Sequence, residues 1–204
     1  MRMNAENKIV HRKSSNRKSP VKVGVYGGSF NPVHYGHVGL AKWVMERTDL
    51  DELWLMVSPL NPLKASGSAN GLTSGSANDL TANFEQRLAA VREAVRDIPG
   101  VKVSDFEFSL PRPSYTANTL RALQLAYPEY DFTLVIGEDN LAIFDKWREY
   151  EYILANFRIF VYPRKGAIPD SQSSILHSKN VVFLEGAPLF NISSTELRAR
   201  QAKR

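Results

Sequence analysis

The sequence predicts a three-layer α/β fold with a mainly parallel sheet, and three features of the chain support this prediction. Short β-rich runs alternate with stretches whose apolar residues recur at helical spacing. One run, at 52–57, is apolar along nearly its whole length, as a strand is when helices cover both faces of a parallel sheet. The connections between these elements are mostly short. We therefore expect ligands to bind beyond the carboxyl ends of the strands.

The first part of the chain is predicted to form a β-α-β unit. A β-rich run over 21–26 ends at a pair of glycines, a helix follows over 36–48, and the apolar strand at 52–57 completes the unit. After it, residues 65–81 are rich in Ser, Gly, Ala and Asn and have few apolar anchors. For this segment we expect an extended mobile loop that acts as a lid.

The rest of the chain continues the alternation of strand and helix. Apolar residues at spacings of three and four predict a helix over 83–97, which Pro99 and Gly100 end. The further predicted elements are a strand at 101–103, a helix at 116–126, a strand at 132–136, a helix at 147–155, and strands at 158–162 and 181–184.

Length and composition predict a single domain over residues 21–204. The chain has 204 residues, of which 43% are apolar and 23% charged, and this is enough for one core. It contains no cysteine, which excludes disulfides and thiolate catalysis. No apolar run approaches the ~20 residues that span a bilayer, so we expect a cytoplasmic protein without a membrane partner.

The net charge of +5 lies in the first twenty residues. Residues 1–20 contain six basic residues and one acidic residue, which leaves 20 basic against 20 acidic residues in the rest of the chain. This tail has only isolated apolar residues and cannot bury enough surface to offset its ordering entropy, so we expect it to be disordered. Because the remaining chain is formally neutral, we expect no nucleic-acid partner.

The segment between the first predicted strand and helix, GGSFNPVHYGH at 27–37, carries the strongest chemical signal. Glycines at a strand end allow backbone N–H groups to approach a phosphate, and the helix N-terminus adds partial positive charge. His34 and His37 can both donate hydrogen bonds to the same phosphate. These features predict an anion-binding turn. Because no Cys, Asp or Glu cluster accompanies the histidines, we expect no metal held by protein side chains.

The HYGH sequence at 34–37 resembles the HxGH signature of the nucleotidyltransferase superfamily. Further segments narrow the resemblance to the bacterial nicotinate-nucleotide adenylyltransferases, in order from Val21 to Arg198. These segments are SPLNPLK at 58–64, PSYTANTL at 113–120, IGEDN at 136–140, KWR at 146–148, YPRKG at 162–166 and ISSTELR at 192–198.

The resemblance implies a fold and a reaction. The fold is Rossmann-like, with a mainly parallel sheet. The reaction moves AMP from ATP to nicotinate mononucleotide and gives nicotinate adenine dinucleotide and pyrophosphate, in NAD biosynthesis. Mg²⁺ is implied as the cofactor that accompanies ATP, and the substrate itself supplies the nucleophile. A homo-oligomer is left open.

The resemblance also implies roles for individual residues, some of which have their own physical basis. Oxygens at 193–195 can cap a last helix, with Arg198 one turn further on, and the indole of Trp147 offers a flat stacking surface. Thr116 is a plausible helix N-cap. The implied catalytic residues are His34, His37, Lys64 and Arg198. The implied ATP-binding residues are Gly27, Gly28, Ser29, Phe30, Gly137, Asp139, Ser193, Ser194 and Thr195, and the implied nicotinate-nucleotide residues are Asn31, Tyr115, Thr116, Trp147 and Arg148.

The chain departs from the family pattern at two places. Leu63 stands where many relatives carry a His, so contacts of that ring are not expected here. Relatives also continue further beyond the last motif, so we expect a truncated C-terminus. Three alternatives stay open at this point. The first is another enzyme of the superfamily, a pantetheine-phosphate adenylyltransferase or a cytidylyltransferase, and the second is a nucleotide sensor without turnover. The third is a nucleic-acid binder, which rests only on the basic tail.

Overall fold

The structure of the protein, a computed structural model, describes most but not all of the chain. It describes residues 19–59, 77–164, 174–190, 192, 194, 197 and 198. The predictions for the tail at 1–18, for the loop at 65–76, and for Lys64, Ser193 and Thr195 lie outside these residues. The prediction of one domain over 21–204 stays a prediction.

In the described part of the chain, six strands form one sheet in which every neighbouring pair is parallel. The strands are β1 (Val21–Gly28), β2 (Glu52–Val57), β3 (Val101–Ser104), β4 (Tyr130–Gly137), β5 (Arg158–Tyr162) and β6 (Val181–Phe183). Their order across the sheet is β3-β2-β1-β4-β5-β6. The order reverses between β1 and β4, and an open crevice forms beyond the carboxyl ends of two strands where this happens.

Helices cover both faces of the sheet. They are α1 (Tyr35–Arg47), α2 (Ala77–Val95), α3 (Thr116–Ala126), α4 (Glu138–Leu141) and α5 (Tyr150–Asn156), with 3-10 helices at Phe106–Ser109, Phe144–Lys146 and Ser174–His177. One core cluster joins the sheet to α1 and α2, and a second joins the other face to α3 and α5. The three-layer prediction is therefore confirmed. None of the described helices is long and apolar enough to cross a membrane.

The apolar run on β2 is explained by these two clusters. Leu53, Leu55 and Val57 pack in the cluster with α1 and α2. Trp54 and Met56 alternate with them and pack in the cluster with α3 and α5. Successive side chains on a strand point to opposite faces, so a strand with helices on both sides must be apolar at every position.

The predicted loop at 65–81 is wrong at its C-terminal end, because α2 begins at Ala77. The prediction began this helix at residue 83 because the preceding segment is rich in Ser, Gly, Ala and Asn, although Leu80 continues the spacing of four that Phe84 and Leu88 show. Extending a helix adds one hydrogen bond per residue and avoids the cost of nucleation. A helix that is anchored further on can therefore include Ser-, Asn- or Ala-rich residues that precede its buried face.

The predicted helix at 147–155 begins three residues late, at Tyr150. Trp147 instead ends the preceding 3-10 helix in an extended conformation. Glu149 then adopts the left-handed region, with φ of 56°, and Arg121 of α3 donates a hydrogen bond to its carboxylate. A left-handed residue other than glycine is uncommon and gives no clear sequence signal, so the start of the helix could not be predicted.

An ion-pair network joins elements at the amino end of the sheet. Asp49, between α1 and β2, accepts from Lys22 Nζ at 2.7 Å and from Arg158 Nη1 at 2.9 Å. These two cations lie at the starts of β1 and β5. Hydrogen bonds from Lys22 and then from Arg158 lower the pKa of Asp49 to about 2.

We expect Asp49→Asn to lower the free energy of unfolding at pH 7 by about 0.5–1 kcal/mol, since half-exposed ion pairs are screened by water. The pKa of Asp49 is depressed in the fold, so its contribution is present above pH ~4 and is lost as pH falls toward 2. Urea unfolding at pH 7 and pH 3 measures the difference between variant and wild type. Glu85→Gln, at an exposed position of α2, is the control; an Asp49 effect that is the same at both pH values would contradict the prediction.

Candidate functional site

A cavity of about 300 Å³ lies beyond the carboxyl ends of β1 and β4, where the strand order reverses. The ends of β1, β2 and β4 form one side, and the start of α3 and the segment after the second 3-10 helix form the other. Of the predicted site residues, the cavity is lined by Gly27, Gly28, Tyr115, Thr116, Gly137, Trp147 and Arg148. The structure therefore brings together motifs that are separated by more than a hundred residues.

The turn after β1 presents its backbone. A Cβ added to Gly27 would meet no atom within 4 Å, so the space beside this residue is open. Phe30 has φ of 45°, in the left-handed region, and its side chain is 2% exposed. Its ring packs edge-on against Tyr26 and His37, with ring centroids 5.7 Å and 4.9 Å away. Phe30 can thus contribute only its backbone to a ligand, as an anion-binding turn requires.

His34 and His37 lie together at the start of α1. Their rings stack, with centroids 3.7 Å apart and planes 23° from parallel. The backbone N–H of His34 donates to Nδ1 of His37 at 3.2 Å. This bond makes Nδ1 the acceptor, so a neutral His37 carries its proton on Nε2 and can donate from there.

The two histidines have different electrostatic surroundings. Burial, and then the positive charge of Arg164, lower the pKa of His34. Its Nδ1 is buried at the start of α1, where the His34 side chain and the backbone N–H of His37 form one half of a capping box. Burial disfavours the charged form of an imidazole. His34 is therefore suited to hold the ring of His37 in place and not to supply a positive charge.

The C-terminal segment reaches the histidines because α1 has two glycines on one face. A Cβ at Gly39 would lie 2.4 Å from the ring of Phe190, and one at Gly36 would lie 2.9 Å from Ile192. These distances are shorter than any real Cβ contact, so only glycine allows the segment to approach the helix. The glycine of the HYGH motif, Gly36, therefore has a packing role.

This close approach places the predicted Ser194 and Arg198 at the turn. Ser194 Oγ donates to the carbonyl of Pro32 at 3.0 Å. Arg198 Nη1 donates to the carbonyl of Asn31. Asn31, predicted at the nicotinate nucleotide, does not line the cavity, and its carbonyl instead faces Arg198. Its predicted role stays a prediction.

The N-terminus of α3 forms the other end of the cavity. The predicted N-cap, Thr116, is wrong by one residue, because Tyr115 is the N-cap and its side chain makes no capping bond. A tyrosine hydroxyl is too far from its own backbone to cap, so the first N–H groups of the helix receive no side-chain acceptor from it. Beside them, Ser114 Oγ is buried and has no partner among the described residues. A helix start with spare donors can bind a carboxylate.

Trp147 and Arg148 complete this end. Trp147 packs against Phe144, and its Nε1 is buried without a described partner. The guanidinium of Arg148 lies 4.8 Å from the ring centroid of Tyr115. The flat indole of Trp147 can stack on an aromatic ligand. The guanidinium of Arg148, which lies over the Tyr115 ring, can attract a ligand that carries negative charge.

Gly137 ends β4 and lines the cavity between the two ends. A Cβ there would lie 2.4 Å from Asp139 Oδ1 and 2.7 Å from Arg164 Cγ. Asp139 does not line the cavity; its carboxylate lies 3.6 Å from Arg164 Nε. The neighbouring Asn140 does line the cavity.

The structure adds residues that the sequence prediction missed. Tyr26 and Tyr162 line the cavity, and their hydroxyl oxygens are 3.4 Å apart. Burial, and to a smaller extent the neighbouring Tyr162, raise the pKa of Tyr26 well above its ordinary value. Glu107 also lines it and is 8% exposed. Its carboxyl accepts from Thr119 Oγ1 at 2.9 Å and bonds the Ser58 hydroxyl. The sequence feature that could have identified Glu107 is an acidic residue between two phenylalanines, in the run FEF at 106–108.

Among the residues that the structure describes, no three His, Asp or Glu side chains come close enough to hold a metal ion. Of the acids that follow β4, Asp139 has its carboxylate 3.6 Å from Arg164 Nε, and Glu138 accepts a hydrogen bond from the backbone N–H of Arg164.

Comparison with known proteins fits this geometry. The family model described as cytidylyltransferase-like matches residues 25–200. A protein of Flavobacterium psychrophilum named "Probable nicotinate-nucleotide adenylyltransferase" is 43% identical over 178 residues, which are 87% of this chain and 85% of that protein. The protein of that name from Bacteroides thetaiotaomicron is 44% identical over 87% of this chain and 80% of its own. The chain belongs to the nicotinate-nucleotide adenylyltransferases.

The fold of this adenylyltransferase family is also seen in distant structures. A Plasmodium falciparum nicotinic acid mononucleotide adenylyltransferase complexed with NaAD has a TM-score of 0.66 to this chain at 18% identity. The match covers 87% of this chain and 82% of that one. The predicted Rossmann-like fold and the predicted family are both confirmed.

Glu107 gives this adenylyltransferase a testable dependence on pH. Burial raises the pKa of Glu107 despite its bonds to Thr119 and Ser58. The fold therefore holds this proton to higher pH than the unfolded chain does, and the contribution of Glu107 to stability falls as pH rises above the ordinary carboxyl value.

We expect Glu107→Gln, which keeps the shape and cannot ionise, to gain stability relative to wild type as pH rises from 4.5 to 8. The measurement is the free energy of urea unfolding of both proteins at several pH values. Glu185→Gln, at an exposed position, is the control. If the difference in free energy of unfolding between wild type and Glu107→Gln does not change with pH, Glu107 ionises as it does in the unfolded chain.

Proposed function

We propose that this protein transfers the adenylyl group of ATP to the phosphate of nicotinate mononucleotide, forming nicotinate adenine dinucleotide and releasing pyrophosphate. The observation that carries the proposal is the pairing of two anion-binding features around one crevice. Gly27 and Gly28 at the end of β1 line the cavity on one side, and the turn that follows them leads to the stacked histidines and is bound by Arg198, none of which is among the lining residues. The open start of α3, with Trp147, lies on the other side.

The reaction needs alignment of two polyanions and no covalent intermediate. A phosphate oxygen of the mononucleotide attacks the α-phosphorus of ATP, and the bond from this phosphorus to the bridging oxygen of pyrophosphate breaks. The nucleophile already carries negative charge, so it requires no general base. The protein contributes by holding both substrates in line and by placing positive charge and N–H donors where negative charge grows.

His37 is the donor that we assign to the α-phosphate. Its Nδ1 accepts the backbone N–H of His34, so a neutral His37 carries its proton on Nε2, the atom that we propose donates to a phosphate oxygen. His34 stacks on this ring and orders the pair. Arg198 and Ser194, bound to the backbone of the same turn, would add donors for the triphosphate. The roles of Lys64, Ser193 and Thr195 stay predictions.

At the acceptor end, we propose that the N–H groups of Tyr115 and Thr116 and the hydroxyl of Ser114 bind the nicotinate carboxylate. This assignment is supported by the uncapped start of α3 and by the unpartnered hydroxyl of Ser114 in the described structure. A carboxylate gains more from such donors than a neutral amide does. The pyridine ring would then stack on Trp147, with Arg148 beside it.

We propose that Mg²⁺ comes with ATP, bound to its phosphates, since the described side chains do not form a metal cluster. Such an ion neutralises part of the phosphate charge. ATP and nicotinate mononucleotide are then the partners of the protein, and the cytoplasm, where these small molecules are used, is its proposed location. A homo-oligomer stays a prediction.

The reaction is tested by pyrophosphate release from ATP and Mg²⁺ with three acceptors offered separately. We expect turnover with nicotinate mononucleotide to exceed turnover with nicotinamide mononucleotide, because only the acid satisfies the α3 donors, and phosphopantetheine to give none. Preference for phosphopantetheine would overturn the acceptor site. Absence of release with every acceptor would overturn the enzymatic proposal.

We expect His37→Ala to lower kcat by ~10²–10³-fold, the usual loss for one preorganised donor to a transition state. The KM for nicotinate mononucleotide should change much less, because this substrate binds at the other end of the cavity. The matched control is His177→Ala, at an exposed position of a 3-10 helix remote in sequence. A His37→Ala protein with near wild-type kcat would remove this residue from the mechanism.

A further inference from the structure

Arg87 is a buried cation that holds the ends of β1 and β2 together. It lies on α2 and is 8% exposed. Its Nη1 donates to the carbonyl of Ser29 at 2.6 Å and to the carbonyl of Ser58 at 2.9 Å. Its Nε donates to Asn83 Oδ1 at 3.0 Å. The guanidinium therefore sits directly behind the turn that carries the anion-binding motif.

No carboxylate is among the groups that Arg87 is seen to contact, where the side chains of the structure are described. Its hydrogen bonds among the described side chains are to neutral oxygens, three of them backbone carbonyls. Residues 60–76, which follow its partner Ser58 and Pro59, contain no Asp or Glu. Burial lowers the pKa of Arg87. A buried charge without an opposite charge is costly, so its retention needs another reason.

The contact to Ser29 also fixes the direction of a peptide group. In a trans peptide the carbonyl and the following N–H point in opposite directions. Because Arg87 takes the carbonyl of Ser29, the N–H of Phe30 must point away from α2. Phe30 is the left-handed residue of the turn, and N–H groups in such turns converge on anions.

We propose that Arg87 is a positioning residue whose buried charge is balanced by the polyphosphate of the substrate. It does not touch the substrate. It holds the turn with its N–H groups directed outward, and its positive charge lies behind them in a low-dielectric position where charges interact strongly. The ligand is a nucleoside triphosphate or its inorganic triphosphate part, and the inference rests on the proposed function.

The experiment compares R87Q, R87K and R92Q with wild type. Gln keeps hydrogen-bond donors and removes the charge, whereas Lys keeps the charge. Arg92 is an exposed residue on the same helix, and its Nη2 lies 3.7 Å from Oδ2 of Asp105. R92Q is therefore the matched control. Affinity for inorganic triphosphate is measured by titration calorimetry without any acceptor. The KM for ATP and for nicotinate mononucleotide, kcat, and thermal unfolding without ligand are then measured on the same proteins.

We expect R87Q to bind triphosphate roughly 10- to 100-fold more weakly, the range for losing a charge-assisted interaction. R87K should stay within about threefold of wild type, since charge is the quantity that matters, and R92Q should be unchanged. The KM for ATP should rise in R87Q while the KM for nicotinate mononucleotide changes less.

Two results would overturn the proposal: R87Q that binds triphosphate like wild type, or R87K that loses as much affinity as R87Q, which would make the role purely structural. If R87Q does not fold, R87K decides alone, and a loss of tenfold or more contradicts the proposal. Wild-type protein that binds triphosphate but releases no pyrophosphate with nicotinate mononucleotide would overturn the proposed reaction and leave the test of Arg87 valid.

Discussion

The turn that follows β1 is held through its backbone carbonyls by side chains from distant parts of the chain. Arg87 of α2 binds the carbonyl of Ser29, and Ser194 and Arg198 bind those of Pro32 and Asn31. When the carbonyls of a turn are held from outside, its N–H groups are left for a ligand. The placement of the histidines depends on this turn, because His34 follows it directly as the N-cap of α1. A rigid turn is what allows one donor to meet a transition state without reorganisation.

The sheet determines where the crevice lies, which is the second requirement for the site. Parallel strands end at one edge, and the reversal of order between β1 and β4 separates the connections that leave this edge. The histidine turn and the start of α3 belong to connections on the two sides of that reversal. Two anionic substrates can thus enter one cavity from different ends, and Gly27, Gly28 and Gly137 at the strand ends are among the residues that line it.

Several polar groups around the cavity lack the partners that buried groups normally have. Ser114 Oγ and Trp147 Nε1 have none among the described residues, Glu107 is a buried carboxyl group, and all three residues line the cavity. Unpaired buried polar atoms cost free energy in the empty protein. Such groups in the lining of one cavity are what a site that is completed by its ligands requires.

The sequence by itself determined the fold class, the family and most of the strands, because periodicity, glycine turns and the HYGH motif are local properties of the chain. It located His34, His37 and the start of α3 for the same reason. Tertiary structure alone decided which carbonyls the side chains of Arg87 and Arg198 bind, that Glu107 faces the cavity, and that Glu149 delays the start of α5. These features arise from contacts between residues far apart in the sequence. A local pattern cannot report them, since the partner of a buried charge is fixed only when the elements pack.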